Sequence, residues 1–350
     1  MAAYISFQPR DHVETRVVVG NGSTQTFTGV PFQPAIVWNK NGDDSLSWAI
    51  YDAVRGANNE LQCDNTAANS SEVGVTAFTS DGWTVGARNQ TNGSGQDIQV
   101  FLWKGGTTSE PSGGSLSPTT ISYDATSNFY SAKYAGNATS GATIAHGGSK
   151  LPTFMIIKKT NSTSQWSVYH KSLGDSSNIA ATAVITLNTS SGSADSAGYW
   201  NDTSPTTSLI TLGSDLDVNG SGSDYIIYSW ADTPGYFKTG RYQGNGNADG
   251  PFIYTGFRPA LVIMKDTSAS NSWWCLNDSK NGYNFNNRGL LPSDSSVYQS
   301  ASSYGSDLLS NGFKHRTSDG WSNQSSKDYI WAAWAEYPFV SSNSISATAR

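Results

Sequence analysis

Three tryptophans occupy one recurring place in this sequence, each with a polar side chain four residues on: Trp48 with Asp52, Trp166 with His170, and Trp274 with Asp278. Residues four apart on a strand lie on the same face. An aromatic ring beside a hydrogen-bonding group is the pairing that holds a sugar, the ring taking the apolar face of the pyranose and the polar group a hydroxyl. If that face is open, the six residues make three glycan platforms. If it is closed, the tryptophans are core and their polar companions sit at strand ends. The change from Asp to His between copies argues against a shared metal-binding or acid role.

A second aromatic series follows, with Asp six residues before Trp: Asp97 and Trp103, Asp224 and Trp230, Asp328 and Trp334. Here too Trp230 or Trp334 would stack on a ring while the Asp accepts hydroxyl hydrogen bonds. The competing role is structural, since an Asp ahead of a strand commonly caps a turn. One segment has metal-ligand spacing: Asp215, Asp217 and Asn219 alternate ahead of Gly220, as at the start of a calcium loop. Ile226 stands where the closing bidentate glutamate belongs. An Asn-Gly hairpin turn accounts for the same residues without a metal, so calcium is the only cofactor the sequence raises.

Catalytic patterns are thinner. The glutamates are Glu14, Glu60, Glu72, Glu110 and Glu336, and none recurs from copy to copy. A glycosidase needs two carboxyls facing each other across a cleft, and nothing here marks such a pair. His12, His146, His170 and His315 lack metal-ligand spacing, and no Gly-x-Ser-x-Gly turn accompanies them. The expectation is a protein that is not an enzyme.

The elements that carry these residues repeat three times. Each copy opens on Gly-Asn: Gly20-Asn21, Gly136-Asn137 and Gly244-Asn245. A proline then introduces an apolar run ending in lysine, as Pro34 to Lys40, Pro152 to Lys158 and Pro259 to Lys265. The Trp block and the Asp-to-Trp block follow in the same order. Runs this short, β-branched or aromatic at nearly every position, suit strands covered on both faces. The pairs Asn21-Gly22, Asp81-Gly82, Asn92-Gly93, Asn219-Gly220, Asn311-Gly312 and Asp319-Gly320 predict type I′ hairpin turns.

Composition agrees. Of 350 residues, 14 % are charged, 12 are Trp, 17 Tyr and 13 Phe, and 35 are Gly. Aromatic bulk with turn residues and little charge predicts an all-β protein rather than a disordered one. A net charge of −6 without a basic cluster argues against nucleic acid. No apolar run is long enough to span a bilayer as a helix, and no secretory signal opens the chain. Cys63 and Cys275 read as unrelated buried thiols, with a long-range disulfide as the alternative.

Several stretches resemble a known group of proteins: Tyr4-Ile-Ser-Phe-Gln-Pro9, Gly20-Asn-Gly-Ser-Thr-Gln-Thr26, Phe32-Gln-Pro34, Tyr169-His-Lys-Ser-Leu-Gly174, Tyr199-Trp-Asn-Asp-Thr203, Gly256-Phe-Arg-Pro259 and Leu309-Ser-Asn-Gly-Phe313. Together they are similar to a bacteriophage virion family found especially in phages of marine bacteria and cyanobacteria. The resemblance implies tail-fibre or head-appendage proteins with laminin-G-like or concanavalin-like β-sandwich modules. It transfers no catalytic residue.

The combined expectation is three tandem antiparallel β-sandwich modules of jelly-roll type, placed in a row: 1–103, a Gly/Ser-rich linker 104–128, 129–236, 237–340, and a polar tail 341–350. The linker leaves the first module freer to move, while the turn at Pro234-Gly235-Tyr236 makes the other two a rigid pair. A single larger sandwich built from shared strands is the alternative. The function expected is that of a virion-surface protein, a tail fibre or appendage, binding host-surface glycans during adsorption. It would partner other virion proteins and form a homo-oligomer, by analogy a trimer. The alternative is a capsid decoration protein docking through its first sixteen residues or through 341–350; a polysaccharide depolymerase is a third class.

Overall fold

The computed structural model describes residues 8–106, 108–174, 180–268, 270–300 and 302–338. Nearly all of the regular structure is β, with 43 % strand and 4 % helix. The repeated apolar blocks all become strands, as their length and β-branched content require. The proline-led runs give Pro34–Asn41, Phe154–Lys159 and Phe257–Asp266. The Asp-to-Trp blocks give Asp97–Lys104, Asp224–Trp230 and Asp328–Pro338, and the Trp blocks give Ala49–Asp52, Trp166–His170 and Trp274–Asn277.

These strands pair the same way in each copy. A flanking strand (Val13–Val19, Phe129–Ala135 or Phe237–Gln243) lies beside the Asp-to-Trp strand, then comes the proline-led strand, then the Trp strand, all antiparallel. Equivalent positions follow from the register: Ile36 opposes Trp103, Phe154 opposes Trp230, and Leu261 opposes Trp334. Pro34 and Pro259 sit at register shifts, where a missing N–H breaks no ladder bond.

Alternate side chains of each large sheet serve two cores. One face packs under a small second sheet of its own repeat: Gln25–Phe27 with Gly82–Val85 and Val75–Thr79, Ala142–Ala145 with Leu209–Leu212, or Phe252–Tyr254 with Gly312–His315 and Ser306–Leu309. This makes three local cores, built around Tyr51 and Trp83, around Tyr134 and Trp200, and around Trp274 and Trp331. The opposite faces all contribute to one further core, which holds Trp38, Trp48 and Trp103, Phe154, Trp166 and Trp230, and Trp273 and Trp334. At its centre Trp103, Trp230 and Trp334 form a triangle with every pair of ring centroids 5.5 Å apart and all pairs edge-to-face.

The repeats are therefore grouped around a common centre rather than placed in a row. The reason is the second apolar face of each large sheet, which needs a cover that no single repeat provides. The stretch expected as linker takes part as well: Thr120–Asp124 is a strand on the edge of the second repeat's large sheet, and buried Asp124 meets buried His12 of the first repeat. The first repeat is held, not loose. The tail 341–350 and the opening residues 1–7 lie outside the described residues.

The Gly-Asn openings and several Asn-Gly pairs serve one device. Asn92, Asn219 and Asn323 are fully buried. Each side-chain oxygen accepts the backbone N–H of the opening Asn, from Asn21 at 2.9 Å, Asn137 at 3.0 Å and Asn245 at 2.9 Å. Each amide nitrogen donates 2.8 Å to a carbonyl at the end of a small-sheet strand or just beyond it, that of Gly86, Gly213 or Thr317. Asn92-Gly93 and Asn219-Gly220 are thus clasps rather than type I′ hairpin turns. At Asp81-Gly82 and Asn311-Gly312 the turn lies one residue earlier, since Thr79 pairs with Gly82 and Leu309 with Gly312. The glycine is needed there for close approach: a Cβ at Gly82 would lie 1.9 Å from the Phe27 carbonyl oxygen.

Candidate functional site

The three tryptophans expected to form sugar platforms are all buried, Trp48 and Trp166 at 0 % exposure and Trp274 at 1 %. The face that carries them is closed, which overturns the platform reading. The third copy is also displaced by one residue. Trp48 and Trp166 point into the common core together with Trp273, while Trp274 faces its own repeat's core against Trp321. Each of the three central indoles donates to a carbonyl of a neighbouring repeat: Trp48 to Leu291 at 2.9 Å, Trp166 to Gln62 at 2.9 Å, and Trp273 to Thr186 at 2.8 Å. In the doublet Trp273-Trp274, the core that each ring enters and the cross-repeat hydrogen bond both make Trp273 the equivalent of Trp48 and Trp166. Trp230 and Trp334 belong to the central triangle, so no sugar stacks on them either.

The polar companions join repeats to one another. Asp52 accepts from Arg55 of its own turn and, at 2.6 Å, from the Tyr228 hydroxyl of the second repeat. His170 meets the Trp331 carbonyl of the third repeat at 3.0 Å through Nε2, while its Nδ1 accepts from the Ser172 N–H. Both ring nitrogens are used by the neutral imidazole, and burial lowers its pKa to about 4. Asp278 accepts from the Thr15 hydroxyl of the first repeat at 2.9 Å. The change from Asp to His follows the partner: a hydroxyl donor needs a carboxylate, whereas a carbonyl needs an N–H.

The lysines that close the proline-led runs are equally internal. Lys40, Lys158 and Lys265 are fully buried, and burial lowers each pKa to about 8. Lys158 Nζ donates to the Ser164 carbonyl at 2.8 Å and across to the Thr66 carbonyl of the first repeat at 3.0 Å. The calcium-like segment does not converge on a point. Asn219 is the buried clasp, Asp215 accepts the Asp217 N–H at 2.8 Å, and Asp217 accepts the Gln165 N–H at 3.2 Å. Among the described residues no three His, Cys, Asp or Glu groups are placed to hold a metal ion. Cys63 and Cys275 are both free and both lie in the common core.

What the grouping of repeats creates is a set of clefts at their junctions. The larger, about 680 Å³, opens between the first and second repeats. Arg55, Asn59 and Asn69 line one wall, and Lys133, Asn161 and Asp224 the other. Its charges are paired, Arg55 with Asp52 at 2.6 Å and Lys133 with Asp224 at 3.6 Å. The first wall is braced from within: Asn69 donates 3.0 Å to Asn59, and Asn59 donates 2.8 Å to the Arg55 carbonyl. The result is a preformed surface rich in amide, hydroxyl and ion-paired groups, without an aromatic ring. Between the third and first repeats a smaller cleft of about 240 Å³ is lined by Glu14, Thr15, Asp278, Ser279 and Glu336. The larger site left no trace in sequence spacing, because its walls come from segments 50 to 170 residues apart that share no motif.

No helix among the described residues is long and apolar enough to cross a membrane. No curated protein and no solved structure matches this chain. One family model does match, that of a domain of unknown function, DUF7483, and it runs through all three repeats over residues 8–338. The chain belongs to the DUF7483 family.

Proposed function

We propose that this protein is a non-catalytic binding protein for polyhydroxylated ligands, glycans above all, and that it acts on a phage particle surface during adsorption to the host. The observation that carries the reading is the cleft between the first and second repeats. Its amide and hydroxyl groups and its mutually neutralised charges suit a ligand dense in hydroxyls and low in charge. The phage setting rests on the sequence resemblance, and so does the finer assignment of the repeats as jelly-roll, lectin-like modules. Other virion proteins and a homo-oligomer, a trimer by analogy with fibres, belong to the same proposal. Many copies on a particle would turn weak sites into firm attachment.

The test is binding of the purified protein to host-envelope polysaccharide, with competition against phage adsorption. Lys133→Ala combined with Asn161→Ala, both on the cleft wall, is expected to weaken binding about tenfold or more, which is roughly 1.4 kcal/mol. Capsid or tail binding without affinity for any glycan at millimolar concentration would overturn the reading and favour a decoration role.

A further inference from the structure

Seven large apolar side chains are well exposed among the described residues, and only two of them share a strand: Phe252 at 45 % and Tyr254 at 55 %. Both lie on the outer face of the third repeat's small sheet, in the strand Phe252–Tyr254, with buried Ile253 between them facing inward. The fold does not require them there. Phe252 opposes Lys314 in the register position where the first repeat pairs Thr26 with Thr84 and the second pairs Thr143 with Thr211. Two repeats build the same sheet with a threonine pair, in the first repeat with the hydroxyls 2.9 Å apart. In the third an aromatic has taken the place, and a solvent-facing aromatic pair that packing does not explain marks a contact surface.

The surroundings are polar and locally positive. Lys238 Nζ sits 4.7 Å from the centre of the Tyr254 ring and donates to the Tyr254 carbonyl at 3.1 Å. Lys314 is paired with Asp249 at 2.9 Å and Arg316 with Asp307 at 3.0 Å. With Lys171 and Asp232, which also act on Lys238, four cations stand around the strip against three carboxylates, on a chain whose net charge is −6. Opposite Tyr254 stands Gly312, which has no side chain to cover the strand.

We propose that this strip is a second glycan subsite selective for acidic polysaccharide, with sugar rings stacked on Phe252 and Tyr254 and a ring carboxylate held by Lys238. Side chains two apart on a strand lie about 7 Å apart on one face, so both rings are presented to one extended chain. The cations complement a polyanion where the rest of the surface repels it. This inference rests on the glycan-binding function proposed above and names the ligand class for one of its sites.

The test uses the full chain and two probes, a defined oligogalacturonate and a neutral dextran oligosaccharide, titrated by calorimetry. Phe252→Thr with Tyr254→Thr copies what the first repeat carries at Thr26 and Thr28, so the sheet tolerates it. That variant is expected to lose at least tenfold in affinity for oligogalacturonate and to keep the wild-type unfolding midpoint. Lys238→Gln should reduce both that affinity and its dependence on salt. Unchanged oligogalacturonate binding in the threonine variant would remove the strip as a site while leaving the cleft and its function standing. A wild-type protein that binds dextran but not oligogalacturonate overturns the acidic selectivity, and one that binds neither probe nor host polysaccharide overturns both readings.

Discussion

Asn92, Asn219 and Asn323 show how much one buried side chain settles. Each closes the opening Gly-Asn of its repeat onto the end of the small sheet through three or more hydrogen bonds, out of contact with water. Removing the amide strands those backbone partners, so Asn219→Ala is expected to lower stability by about 3 kcal/mol, read as a fall in urea midpoint with an unchanged slope. The buried histidines act through pH. Burial lowers the pKa of His170 to about 4 and that of His315 to about 3. Below the ordinary value of 6.5 the unfolded chain therefore takes up protons that the folded one refuses. Stability is complete above that value and falls as pH drops toward the folded values. Between pH 7 and 5 the pair should cost roughly 4 kcal/mol. His315→Gln should remove about half of that slope in urea unfolding at the two pH values; an unaltered slope would refute its assignment.

At the scale of elements, the strands were legible because each block is short, apolar throughout and bounded by Gly, Pro or Asn. Their burial on both faces was legible too, since an alternating pattern would have marked a wet face. The turns were less so. Asn-Gly and Asp-Gly predict type I′ turns, but a glycine also marks close approach of two backbones, and spacing alone does not separate the two. Gly82 separates them physically. Ala at this position would drive a methyl into the Phe27 carbonyl, and a cost of about 2 kcal/mol is expected. Thermal unfolding of Gly82→Ala measures it, and a midpoint within error of wild type would mean that the Gln25–Phe27 strand moves aside freely.

At the scale of the molecule, the common core converts three repeats into one cooperative unit. The triangle of Trp103, Trp230 and Trp334 draws one ring from each, and the indoles of Trp48, Trp166 and Trp273 each bond into a neighbour. Calorimetry of the full chain should show a single transition. Trp230→Ala should lower it by about 4 kcal/mol without splitting it. Two resolved transitions would show that the repeats unfold separately and that their shared core contributes little.

The amino-acid sequence by itself determined the β class, the threefold repetition, the strand positions and the absence of charge patterns suited to nucleic acid. Those properties are local: they follow from residue type, short-range spacing and turn chemistry. Tertiary structure alone decided that the second apolar faces meet one another, because among the described residues each of these faces is covered by those of the other two repeats. The same packing closed over Trp48, Trp166 and Trp274, turned Asp52, His170 and Asp278 into links between repeats, and opened clefts at the junctions. It also left Phe252 and Tyr254 in solvent, since whether an aromatic is core or contact depends on what lies opposite its face, and that partner is distant in the chain.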